Sequence, residues 1–396
     1  MRKTDFLIFL SIVLLVYFLI NSYIIHRADS ALKYNQTLRT IFLIALILLI
    51  LAYPLGRLLQ NFFQNILVDF MLFTGALYMG MMVYFFLLVL IIDLFRLINS
   101  FAPIFPSFIL NNPVKTVQIT FWIVLALVVG TTVIGHINAL FPRIRNLEIQ
   151  VNKPGSQLRE LTVVAMSDIH LGTIVRNSTL EKLVEKVNAL HPDLILLPGD
   201  IVDEDVSSVM EQNMAASLRR LKAPYGVFAV TGNHEYFGGI QKSVDYIQEG
   251  NVKVLQDSAV RIGDAFYLIG RKDLTGKSFG DLRKPLNQIM DGIDKNFPLI
   301  LMDHQPFHLD EAEQNGIDLQ LSGHTHHGQL FPFNLITNKV YEKSWGYLRK
   351  GETQYYISCG VGTWGPPIRI GNRPEIIQIK LEFMEIIYDK KQREEI

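Results

Sequence analysis

The run Leu161-Thr162-Val163-Val164-Ala165-Met166-Ser167-Asp168-Ile169-His170 decides the fold. Its first six residues are apolar or β-branched and predict a buried strand. That strand ends directly on a carboxylate and an imidazole. Asp168 and His170 are two apart, so on an extended backbone they face the same way and can chelate one ion together. Further along the chain the pattern repeats. Residues 193–197 predict a second buried strand ending at Gly199-Asp200, and residues 225–230 a third ending at Gly232-Asn233-His234-Glu235. Residues 299–302 precede Asp303-His304, and residues 319–321 precede Gly323-His324-Thr325-His326-His327.

Between these strands lie amphipathic helices. Ser178-Thr179-Leu180-Glu181 predicts a capping box, after which Leu180, Leu183, Val184, Val187 and Leu190 follow helical spacing. Donors gathered from the carboxyl ends of different strands are what an α/β layered fold offers, because those loops open on one edge of the sheet. The soluble half begins near residues 142–146, with a strand predicted at 147–151 and turn chemistry at 152–156. Residues 339–381 are β-rich, with turns at Gly346, Gly351, Gly360, Gly362, Pro366 and Pro367, and are expected to complete a second sheet.

Six of the ten histidines (His170, His234, His304, His324, His326 and His327) fall inside the five segments. Core packing does not explain this, since a structural histidine needs only local partners. Asp200 can bridge two cations through its two oxygens. Asn233, His304 and His324 offer donors for a second ion, and His326, two residues beyond His324 on the same expected extended face, can turn to the first. Each fragment alone is weak; all five in this order are not.

The chain is 49% apolar, and the excess lies before Phe141. Uncharged apolar runs occupy residues 6–25, 41–55, 70–92 and 116–137, against the roughly 20 residues that a bilayer core requires. The second run is expected to end at Pro54. Four spanning helices are therefore predicted, with residues 61–68 and 94–110 at the interface. Arg2, Lys3, Arg57, Arg143 and Arg145 fall on the side of the termini and Arg27, Lys33, Arg39, Arg96 and Lys115 on the other. This tie leaves orientation open, with a slight lean to a cytosolic catalytic domain. Thirty-seven basic and 37 acidic residues give no net charge, which argues against nucleic acid as a partner. Cys359 is the single cysteine, so neither an intramolecular disulfide nor a thiolate metal site is available. No obligate protein partner is inferred.

The motif set resembles the calcineurin-like metallophosphoesterase superfamily, whose signature runs D-x-H, G-D-x-x-D, G-N-H-[DE], H and G-H-x-H. The wording is similar to a bacterial membrane-associated branch that includes UDP-2,3-diacylglucosamine pyrophosphatase-like and cell-wall-associated phosphoesterases. Gly328-Gln329, residues 358–362, Pro367, Arg369 and Pro374-Glu375 carry that similarity. The resemblance implies a four-layer αββα sandwich at residues 146–382, preceded by a helical transmembrane bundle at 1–141 and followed by a charged tail at 383–396.

It also implies two divalent ions, with Mn, Fe or Zn all compatible with oxygen and imidazole donors. Asp168, His170, Asp200 and His326 would hold the first ion and Asp200, Asn233, His304 and His324 the second, the pair sharing a hydroxide. His234 would serve the leaving group, oriented by Asp203. His327 stands where those relatives usually carry glycine, and is expected to point to solvent.

The expected function is thus a multi-pass protein of a bacterial inner or cell membrane that hydrolyses a phosphodiester or pyrophosphate bond, with a lipid-linked substrate in view. The alternative is a catalytically weak binding or regulatory module on the same fold. Missing ligands or a replaced His234 would favour that module, and neither is seen. A membrane sensor or transporter is disfavoured, because His136, near a helix end, is the one ionisable residue that the apolar runs contain.

Overall fold

The computed structural model describes residues 3–63 and 65–383. The charged tail expected at 383–396 lies, beyond Phe383, outside the described residues. The chain divides into two compact units, one of residues 1–138 with Gly365–Ile368 and one of the remainder.

The first unit contains helices α1 (Lys3–Leu32), α2 (Gln36–Leu59), α3 (Ile66–Phe101), the single turn α4 (Ser107–Leu110) and α5 (Pro113–Leu140). All but α4 are long and apolar enough to cross a membrane. Their outward faces carry exposed Leu, Ile and Phe, the pattern of helices that meet lipid rather than water. Ile24, Leu46, Tyr78, Phe85, Val124 and Val128 form the interior of this bundle.

Pro54 does not end α2 as expected; the helix continues to Leu59. A proline has no N–H, so the Ile50 carbonyl four residues back loses its helical donor. The Tyr17 hydroxyl donates to that carbonyl at 2.8 Å, and the polar group is satisfied inside the bundle. The expected interfacial segments are also shorter than supposed. Helix α3 begins at Ile66 and runs to Phe101, so Asp93 and Arg96 lie on a long helix beside the bundle interior.

The second unit holds two six-stranded sheets. Its strands are β1 (Arg143–Val151), β2 (Glu160–Ala165), β3 (Leu194–Pro198), β4 (Val227–Val230), β5 (Lys253–Val254), β6 (Ser258–Ile262), β7 (Phe266–Gly270), β8 (Leu299–Met302), β9 (Leu319–Ser322), β10 (Gly346–Lys350), β11 (Thr353–Ile357) and β12 (Glu375–Phe383). The orders are β1-β12-β2-β3-β4-β5 and β10-β11-β9-β8-β7-β6. Strands β2 to β5 run parallel, as do β7, β8, β9 and β11, so their carboxyl ends open toward the same kind of edge in each sheet.

Val163, Phe228, Leu268, Ile300, Leu321 and Ile379 pack between the sheets. On the outer face of the first sheet lie α6 (Asn177–Asn188), α7 (Val206–Glu211), α8 (Met214–Leu218) and, after the short α9 (Asn233–Gly238), α10 (Ile240–Glu249). Leu183, Val187, Leu218 and Ile247 from these helices bury against Ile195 and Leu197. Helices α11 (Leu286–Ile289) and α12 (Asp310–Asn315) cover the second sheet through Leu286, Ile289 and Ala312. This is the layered α/β sandwich, with four layers in the order αββα.

Two local expectations fail. The last long strand, β12, joins the first sheet between β1 and β2, while only β10 and β11 of the C-terminal stretch complete the second. Helix α6 has no capping box: it begins at Asn177 after Arg176, and the Gln212 side chain accepts from the Asn177 N–H at 3.1 Å. A tertiary acceptor thus replaces the local serine.

Candidate metal centre

Every donor sits in the loop that leaves a strand, and the loops are stitched to one another. The Asp168 N–H donates to Gly199 O at 3.1 Å, His170 N–H to Asp200 O at 3.0 Å, and Gly323 N–H to His304 O at 2.9 Å. The expected extended backbone is absent. Asp168, His170, Asp200, His324 and His326 have φ of 53°, 52°, 50°, 70° and 45°. Left-handed backbone at such residues costs about 1 kcal/mol or more each, and persists where surrounding bonds over-determine it. Each donor is thus aimed by the bend of its own loop and not by the pleat of a strand.

Two glycines are required by close approach. Gly199, at φ 86°, has the His304 ring where a side chain would stand, and a side chain on Gly323 would run into the Asp168 carboxylate.

The inward donors form overlapping groups. Asp168, His170 and His326 could hold one ion, and Asp200, His304 and His324 another. His170 Nε2 and His326 Nε2 are 3.0 Å apart, and His326 Nε2 lies 3.5 Å from Asp168 Oδ1. Asp200 Oδ2 is 3.1 Å from His304 Nε2 and 3.8 Å from His170 Nε2. Asn233 Oδ1 contacts His324 Nδ1 at 2.8 Å. The sequence-predicted ligands therefore meet at one edge of the sandwich.

The polar inventory fits a cation. Asp168 Oδ2 and His304 Nε2 are buried without a hydrogen-bond partner, a state that costs free energy unless another group satisfies them. His304 Nδ1 is 2.8 Å from the Pro198 carbonyl, which fixes its proton there and leaves Nε2 facing Asp200. Burial pushes the Asp168 carboxyl up, and burial with the neighbouring His304 charge brings the His324 imidazole down to about 4. Burial also holds His326 neutral, assisted by His170 and Arg369. Asp200 and His304 form the charged pair: burial opposes both charges, yet each stabilises the other, so Asp200 lies well below and His304 well above its ordinary value.

His234 falls in a third group, with His170 and Asp203, and its ring stands edge-on to His170 at 4.5 Å. Its Nδ1 is 2.9 Å from Asp203 Oδ1. Nδ1 makes no aligned hydrogen bond there, and the contact is one between charges. Burial opposes the imidazolium, but Asp203 and Asp200 keep its pKa up at about 9. The same Asp203 oxygen is 3.6 Å from His170 Nδ1, so this carboxylate serves two rings. Phe237 and Trp364 stand edge-on to His234 at centroid distances of 5.7 and 6.2 Å.

Three residues escaped the sequence reading. Glu235, fully buried, accepts from the N–H groups of Asp200, Ile201, Val202 and Gly232 and so holds the Asp200 loop. Its place in the G-N-H-E segment was the available signal. Arg369, also fully buried, brings Nη2 to 3.2 Å from His326 Nδ1 and donates to Cys359 O and Gly362 O. Asn372 donates to the His326 carbonyl at 3.0 Å. His327 does not point to solvent: its Nδ1 is 2.8 Å from Ser344 Oγ, and its ring packs on Trp345 at 5.1 Å.

Residues 161–328 match the family described as calcineurin-like phosphoesterase. A metallophosphoesterase of Aquifex aeolicus (strain VF5) is 31% identical over 251 residues, 63% of this chain and 95% of that one. The match to a Campylobacter jejuni metallophosphoesterase, at 29% identity, extends over 95% of this chain and 99% of the relative. A Danio rerio protein described as a transmembrane protein with metallophosphoesterase domain is 34% identical across 65% of this chain and 62% of its own length. Other bacterial relatives, 33% and 32% identical, are spanned over 64% of their length. The chain belongs to the calcineurin-like phosphoesterases, a family of metal-dependent phosphoester hydrolases. Its four long apolar helices mark it as a membrane protein.

Proposed function

We propose that this protein is a membrane-anchored phosphoesterase with a two-metal centre that hydrolyses a phosphodiester or pyrophosphate bond of a lipid-linked substrate. The observation that carries the reading is the position of Asp200, whose Oδ2 lies within 3.1 Å of His304 Nε2 and 3.8 Å of His170 Nε2. One carboxylate oxygen therefore faces a member of each donor group. Asp168, His170, Asp200 and His326 would hold one ion and Asp200, Asn233, His304 and His324 the other, with Mn, Fe or Zn suited to these donors. When bound, such a pair supplies a water-derived nucleophile and neutralises charge on the phosphoryl oxygens.

The chain's own residues supply the rest. His234, kept protonated by Asp203, is placed to give a proton or hydrogen bond to the departing oxygen, a contribution of about 100- to 10,000-fold. Glu235 fixes the loop that carries Asp200, and Arg369 and Asn372 fix His326. Phe237, Trp364 and Phe279 are 53%, 55% and 55% exposed, with Phe237 and Trp364 beside His234. An apolar wall on that side supports a leaving group with hydrophobic character, which four membrane helices would keep within reach.

Residues 1–141 are read as the anchor, crossing the membrane four times, and residues 146–382 as the hydrolase; the basic exit after the last helix leans toward a cytosolic hydrolase. Purified full-length protein should hydrolyse an aryl phosphodiester when Mn, Fe or Zn is supplied and lose that activity on chelation. Full turnover in excess chelator, with metal absence verified by elemental analysis, would contradict the reading.

A further inference from the structure

A cavity of about 570 Å³ lies wholly within the helical unit, between α1, α2, α3 and α5. That volume falls inside the range of roughly 300 to 1,000 Å³ typical of sites for small molecules. Leu46, Phe85, Val89 and Val124 make most of its wall apolar, whereas Arg27, Asp93 and Arg96 gather at one end. This end is the rim of the bundle where α1 turns into α2 and where α3 finishes.

The charges there are unbalanced. Arg27 Nη2 is 2.5 Å from Asp93 Oδ2, and Arg96 Nη1 is 3.5 Å from Asp93 Oδ1. Tyr23 also donates its hydroxyl to Asp93. Two guanidinium groups against one carboxylate leave an uncompensated positive charge. Moreover, Arg27 Nε is buried without a hydrogen-bond partner. A purely structural ion pair would not need Arg96 as well. An uncompensated cation above an apolar slot is complementary to an anionic head group carrying a hydrocarbon chain.

We propose that this cavity holds one anionic membrane lipid, its head group against Arg27 and Arg96 and an acyl chain along Leu46, Phe85, Val89 and Val124. The bilayer around the bundle supplies such a ligand at high local concentration. The site is made by the helical unit alone and uses no residue of the candidate metal centre, so it stands or falls independently of the hydrolase reading.

Native mass spectrometry of delipidated full-length protein, re-exposed to micelles containing phosphatidylglycerol or phosphatidylcholine, tests it. The expected result is one phosphatidylglycerol retained per chain and little phosphatidylcholine. Arg27→Gln should lower retention about tenfold, the scale of one charge-assisted hydrogen bond. Val89→Trp should lower it similarly by filling the slot, and Thr120→Phe, another lining position, gives the same reading should the larger change perturb folding, as judged by helical circular dichroism and monodispersity. Equal retention by wild type and all folded variants would overturn the proposal, as would phosphatidylcholine held as firmly as phosphatidylglycerol.

Discussion

His234 and Asp203 form the residue pair on which the chemistry of departure rests. With Nδ1 facing Asp203 at 2.9 Å, the opposite ring nitrogen is free to meet a leaving oxygen, and the donor group that includes His234 joins it to His170 and Asp203, not to Asp200, His304 or His324. His234→Asn should therefore keep the metal content while turnover falls by roughly 100-fold or more, the contribution of a general acid. The loss should shrink for esters whose leaving groups are acidic enough to depart without a proton. Metal analysis alongside a leaving-group series measures both; metal loss, or a defect that is the same for every leaving group, would remove His234 from this role. The ligand types and their order were legible at this scale because hard donors cluster at strand ends. Backbone handedness was not. Left-handed φ at Asp168, His170, His324 and His326 follows from tertiary bonds between loops, which no local spacing reports. His327 departs from expectation for a related reason: Ser344 and Trp345, seventeen and eighteen positions away, decide where it goes.

Strands β8 and β9 illustrate how an element is held at its non-functional end. Asp318, just before β9, accepts from the Leu299 N–H at 2.8 Å and lies 3.7 Å from Lys153 Nζ. Burial raises its carboxyl from 3.8 to about 6 despite that N–H and Lys153. A raised carboxyl favours the folded state most where the group is protonated, below the unfolded value. The benefit is then lost as pH climbs through the folded value. The stability of wild type relative to Asp318→Asn should accordingly decline by up to about 3 kcal/mol between about pH 4 and pH 6. Unfolding curves of the two proteins across that window check this, and a flat difference would show that Asp318 is not burdened by burial. Among the elements, apolar runs ending on polar loops announced β2, β3, β4, β8 and β9. Strands β5 and β6 have no such run, β7 has one but no ligand motif follows it, and the sheet that β12 joins is set by pairing with β1 and β2, a non-local choice. Pro54 marked a helix end only in the absence of Tyr17, which satisfies the carbonyl that the proline frees.

The whole molecule joins an apolar helical unit to a hydrolase unit whose candidate ligands all come from one side of that division. Removing residues before about 141 should therefore spare hydrolysis of a small soluble diester and reduce hydrolysis of a lipid diphosphate in liposomes, because confinement in the same membrane raises effective concentration. Comparing full-length and truncated protein on the two substrates decides it. Equal loss on both would mean that the helices help to build the site. The account centres on a shared carboxylate, and elemental analysis of purified full-length protein beside its Asp200→Ala, Asn233→Ala and His326→Ala variants tests this most directly. Two divalent ions per chain are expected in the wild type, as a two-metal centre requires, with Asp200→Ala losing more metal than either of the other variants. Metal content near the wild-type level in Asp200→Ala would contradict it.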